Sequence, residues 1–203
     1  MGSLGNLDGR SSHRPEEGWG LEVDTGFRNG LEIAGEQAVA QWKDRRQAGA
    51  VFSDDRRYRY RLWRKWDPSK PVCLFIMLNP STADETRLDP TVARCVGFAQ
   101  KWNYGSLEVG NLFAYKSTDP SYLHQTADPV GEANDEALRA MIAEASIVVC
   151  AWGTKGEHMG RDKEVLAMIP SPFCLGITSY GFPIHPLYVD GSRKPIPYEL
   201  REE

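Results

Sequence analysis

Apolar positions along the chain fall into four runs separated by amphipathic stretches. The runs are residues 72–78 (VCLFIML), 107–113 (LEVGNLF), 147–152 (IVVCAW) and 173–177 (FCLGI). Runs of this length without alternation predict strands buried on both faces, as parallel strands are. Between the first two, Val92, Cys95, Val96 and Ala99 fall on one helical stripe; Asp89 stands at the cap position and Pro90 at the first helical position. Residues 132–145 place Ala137, Leu138, Met141, Ile142 and Ala145 together, and residues 161–169 do the same with Val165, Leu166 and Ile169. Strand and helix alternate, which predicts right-handed crossovers and a three-layer α/β/α sandwich around a mainly parallel four-stranded sheet.

Upstream, the pattern changes. Tyr58, Tyr60 and Leu62 alternate with Arg57, Arg59 and Arg61, a period of two that predicts a basic strand with one apolar and one cationic face. Such arginines either neutralise phosphates or protect an edge strand from pairing with another chain. Residues 31–48 carry Ile33, Ala34, Ala38 and Trp42 at near-helical spacing and predict a helix. Residues 1–20 have few apolar side chains and are expected to form a flexible tail, leaving 21–203 as a single α/β domain without internal repeats.

Composition narrows the class. The chain has 203 residues, 41% hydrophobic and 26% charged, as a globular domain does. No run reaches the roughly eighteen apolar residues that would cross a bilayer, and the first residues lack a basic start followed by an apolar block. No membrane partner is expected, and the expected location is cytoplasmic. Cys73, Cys95, Cys150 and Cys174 stand singly in apolar segments, which predicts buried thiols rather than disulfides or a zinc site. The net charge of -4 argues against a general nucleic-acid coat and leaves a local basic patch open.

Ligands of such sheets bind where strands end at their carboxyl edge. The four runs exit into Asn79-Pro80-Ser81-Thr82, Asn111 to Thr118, Trp152 to Gly156, and Thr178 to Tyr188 with His185. Amides, hydroxyls, a lysine, a histidine and aromatic rings therefore gather on one rim. Each has a structural alternative: asparagines satisfy turns, and a histidine between Ile184 and Pro186 can belong to a core. Asp84, Glu85 and Asp89 near a helix start read as caps and dipole partners rather than metal ligands. No phosphate-loop, G-x-G-x-x-G or G-x-S-x-G pattern is present, so no nucleotide cofactor and no serine hydrolase is expected.

The segments IMLNPSTAD, DPTVARCVGFAQKW, VGNLFAYKSTDP, VVCAWGTKG and LGITSYGFPIHPLY, spread over residues 57–189, resemble a bacterial and phage family classed as a domain of unknown function. The order of three motifs is also similar to the uracil-DNA glycosylase superfamily: Asn-Pro after the first strand, an asparagine after the second, His-Pro after the last. That resemblance implies a glycosylase-like fold and action on the base or N-glycosidic bond of a nucleotide in nucleic acid. It implies that Asn79 positions water, that His185 faces the base and sugar, and that Asn111 reads the base edge. Phe113, Tyr115 and Tyr180 are then expected to stack on the base. Ser81, Thr82, Lys116, Ser117 and Lys155, with Arg57, Arg59 and Arg61, are expected to contact phosphates. Cofactors and metals are not expected, nucleic acid or a nucleotide is the expected partner, and the oligomeric state is left open. Two departures stand out: Ser81 replaces a glycine, and Leu187-Tyr188 follows His-Pro. A non-catalytic module binding a nucleotide or nucleic acid is the alternative.

Overall fold

The computed structural model describes residues 47–199. The expected tail over 1–20 lies outside them, as does the expected helix over 31–48 apart from its last two residues, of which Ala48 opens a strand instead. In chain order the elements are β1 (Ala48–Phe52), β2 (Arg59–Lys65), β3 (Val72–Met77), α1 (Pro90–Lys101), β4 (Ser106–Asn111), α2 (Asn134–Glu144), β5 (Ile147–Cys150), α3 (Arg161–Leu166), β6 (Pro172–Cys174) and β7 (Ile196–Pro197).

The seven strands among the described residues join one mixed sheet in the order β1-β2-β4-β3-β5-β6-β7. The four apolar runs form its central parallel block, with Met77 beside Asn111 and Ile76 beside Cys150. The expected glycosylase-like sandwich on a mainly parallel four-stranded sheet is thus corrected to a wider, mixed α/β sheet in which antiparallel pairs are as many as parallel ones. Antiparallel strands flank the block: β1 and β2 on one side, β7 on the other. The two outermost escaped the pattern because AGAVF and Ile196-Pro197 are short and rich in small or proline residues, so neither makes an apolar run.

Helices cover both faces. Cys73, Phe75 and Met77 of β3 pack with Val92, Cys95, Phe98 and Ala99 of α1. The alternate residues Leu74 and Ile76, with Leu78 beyond the strand end, pack with Leu138 and Met141 of α2 and Val165 of α3. Burial on both faces is why this strand reads as an uninterrupted apolar run. Gly110 lets α2 approach closely, since a Cβ there would lie 2.8 Å from Leu138 Cδ2. Asp89 caps α1 by accepting the Val92 N–H at 2.8 Å, as its position predicts. All four cysteines are buried free thiols. Among the described residues, no helix is long and apolar enough to cross a membrane.

Candidate functional site

The order of the parallel block decides where a cleft can open. The chain leaves β3 for its neighbour β4 through α1 on one face, then returns past β3 to β5 through α2 on the other. Connections therefore diverge at the carboxyl ends of β3 and β5, the point where such sheets leave a crevice. A cleft of about 420 Å³ lies there. Its wall takes Asn79 and Ser81 from the β3 exit, Asp89 and Thr91 from the start of α1, and Ser117 and Thr118 from the β4 exit. Trp152, Gly153, Thr154 and Lys155 come from the β5 exit, His185 and Tyr188 from the last loop, and Arg59 from β2.

Asn79 is held by its own amide. Nδ2 donates to Pro80 O at 3.1 Å and to Ser117 O at 2.9 Å. Both partners are carbonyls, which accept only, so the amide orientation is fixed and Oδ1 is the atom left for a ligand or water. The turn beneath it is tied down as well, since Ser117 N donates to Pro80 O at 2.9 Å.

His185 caps the short 3-10 turn at Pro186–Tyr188, where Nδ1 accepts the Leu187 N–H across a long 3.4 Å contact. An accepting Nδ1 requires the neutral tautomer with its hydrogen on Nε2. Burial holds the imidazole below its ordinary value, with Asp89 pulling weakly the other way. The ring is thus a neutral N–H donor at neutral pH. Gly153 takes φ +72, a conformation that suits glycine, and its N–H donates to Pro183 O at 2.9 Å, joining the β5 exit to the His185 loop.

Arg59 reaches the cleft because the β1–β2 register slips. Val51 pairs with Arg61 but Phe52 pairs with Arg59, so Tyr60 has no opposite residue. One extra residue in a strand reverses which way its neighbours point. Arg59 turns inward and is only 3% exposed, donating to Ala83 O at 2.8 Å and to Asn111 Oδ1 at 3.2 Å. Arg61 instead pairs with Glu108 and Glu144. Arg57 stays exposed beside Asp55. The single cationic face expected from alternation does not form. Burial lowers the Arg59 guanidinium to about 10, with Asp89 opposing that shift.

The cleft therefore gathers Asn79, His185, Ser81, Ser117, Lys155 and Arg59 of the expected residues. Others lie elsewhere. Asn111 is 2% exposed and sits behind Arg59, without lining the cleft. Phe113 is fully buried with its ring 5.5 Å from His158. Tyr115 packs edge-on against Tyr58, and Lys116 Nζ lies 4.9 Å over the Phe52 ring. Thr82 and Tyr180 are exposed outside the cleft wall. The Ser117 hydroxyl donates to Asp119 O at 2.7 Å and is occupied by its own turn. Sequence reasoning preferred a cap for Asp89 and, although it placed Thr154 and Tyr188 on the rim, gave them no role in the site. Their signal was position: each directly follows or flanks a strand exit or the His-Pro motif.

Comparison with known proteins adds a family and little else. No curated protein matches the chain. Among solved structures, the chain is similar to the hetero-hexameric glutamate dehydrogenase from Thermus thermophilus in its leucine-bound form, at 14% identity and a TM-score of 0.30. That match covers 78% of this chain and 40% of the other, so the chain spans about two fifths of that protein's length. Residues 59–187 match the family described as protein of unknown function (DUF1643), a stretch that begins at Arg59 and holds every named cleft residue except Tyr188. The chain belongs to that family.

Proposed function

We propose that the cleft binds a nucleotide and hydrolyses its N-glycosidic bond. The observation that carries this reading is the locked Asn79 amide, whose free acceptor lines the same cleft as a neutral His185 donor. Cleavage of the bond leaves positive charge on the sugar and electron density on the departing base, so it needs an acceptor for water and a donor for the base. In this reading Asn79 Oδ1 accepts a hydrogen from water poised at C1′. His185 Nε2–H donates to a base oxygen. The C1′–N bond breaks with its electron pair going to the base, the water oxygen bonds C1′, and the water's proton passes through Asp89 to solvent. Asp89 suits that step because the cap uses only Oδ1. Asn111 serves through Arg59 rather than at a base edge. The Tyr188 ring, exposed at the mouth, offers the stacking surface. The motif order resembling the uracil-DNA glycosylase superfamily supports the same assignment of Asn79 and His185.

A second reading, a nucleotide-binding module without turnover, draws on the Asp89 cap, which ties one oxygen of the carboxylate lining the cleft to backbone. Incubating the protein with labelled uracil, hydroxymethyluracil, hypoxanthine and mismatch oligonucleotides, and with the matching free nucleotides, tests between them. Hydrolysis releases free base from at least one substrate, whereas the module binds without release.

A further inference from the structure

We propose that the cleft takes a phosphate monoester over Arg59, so that the substrate class is a free nucleoside monophosphate rather than a nucleic-acid strand; this rests on the nucleotide reading of the site. A guanidinium has five N–H donors. For Arg59 the contacts are two neutral acceptors, Ala83 O and Asn111 Oδ1, while Nε is buried with no partner among the described residues. Among those residues it also forms no ion pair, unlike Arg56, Arg61 and Arg161. A buried cation without a counter-ion is costly, and an anionic ligand that completed it would offset that cost. Asp89 lines the same cleft and favours the Arg59 charge through space, but among the described residues it makes no ion pair with the guanidinium, whose Nε stays without a partner. A monoester dianion entering the cleft would supply the missing charge, with the exposed Lys155 closing over it at the rim.

The same charges argue against a strand. A nucleic acid is gripped by arginines and lysines that neutralise successive phosphates. Here three arginines of the Arg56–Arg61 segment are tied to carboxylates: the exposed Arg56 to Glu85 and Arg57 to Asp55, and the half-buried Arg61 to Glu108 and Glu144. The net charge of the chain is -4. A cleft of about 420 Å³ falls within the size range of small-molecule sites.

The test titrates the full chain with the four common nucleosides, their 5′-monophosphates, inorganic phosphate, and a 15-mer oligonucleotide, single-stranded and duplex. At least one monophosphate is expected to bind about tenfold or more tighter than its nucleoside, the range of a charge-assisted contact. Inorganic phosphate competes, and Arg59→Gln and Lys155→Ala each shrink that difference. Because Arg59 is buried, the exposed Lys155→Ala variant keeps the test decisive if Arg59→Gln does not fold. Equal binding of every nucleoside and its monophosphate, binding of the 15-mer alone, or no binding of any probe overturns the proposal. Base release from the 15-mer with no affinity for monophosphates sinks this inference and leaves glycosidic cleavage standing. Monophosphate binding without base release does the reverse.

Discussion

Arg59 Nη2 lies 3.2 Å from Asn111 Oδ1, and both residues are almost wholly buried, at 3% and 2% exposure. Beneath the cleft a buried cation of β2 thus donates to a neutral acceptor at the end of the neighbouring β4. The amide's other end, Asn111 Nδ2, has no partner among the described residues. Such a pair trades stability for an unneutralised charge, and the predictions begin there.

Asn111→Ala removes an acceptor from a buried guanidinium and is expected to destabilise the fold by about 1–3 kcal/mol in urea denaturation. Asn111→Asp places a carboxylate beside Arg59 and should recover that stability. It should also weaken monophosphate binding, because the counter-ion is then internal. An Asn111→Asp variant as unstable as Asn111→Ala would show that the Arg59 charge is already satisfied.

Arg61, expected to contact phosphate, is predicted to be structural. Glu108 is 1% exposed, its carboxyl pushed up by burial and pulled back by Arg61. Arg61→Ala leaves that carboxylate alone and should cost on the order of 3 kcal/mol, with nucleotide affinity unchanged. Glu108→Gln in the same chain should restore much of the loss. A carboxyl raised in the folded state keeps its stability below the ordinary carboxylate range and loses it as pH rises through the folded value. The Arg61→Ala deficit should therefore shrink at acid pH. Denaturation of the single and double variants across pH checks this, and a loss of affinity without loss of stability would return Arg61 to the ligand.

His185 gives a second pH dependence of known sign. Burial lowers its folded value below the ordinary 6.5, so the unfolded chain binds the extra proton first. Its contribution is intact above 6.5 and is lost as pH falls from there through the folded value. His185→Gln should flatten that part of the stability profile. An unchanged slope would place the titration elsewhere.

Much of this was legible in the sequence, for a physical reason. Strands buried on both faces need apolar residues throughout, so residues 72–78 and 147–152 announced the parallel block, and the carboxyl-edge rule located Asn79, Lys155 and His185. What failed depended on pairing rather than on local pattern. The unpaired Tyr60 is set by the β1–β2 register, and that slip sends Arg59 inward and Arg61 to Glu108 and Glu144. Asn111 and Phe113 were read as rim residues because they close an apolar run. Asn111 is in fact the last residue of β4, and Phe113 packs into the core on the α2 side.

The most direct test of the account is base release by wild type and Asn79→Ala, measured at saturating nucleotide alongside binding. If the Asn79 amide orients the water, wild type liberates free base and the variant loses about 10²–10³-fold in turnover with affinity nearly intact, the loss seen when one preorganised polar group is removed. Base release that survives Asn79→Ala, or no release by wild type from any nucleotide or oligonucleotide tried, would contradict it.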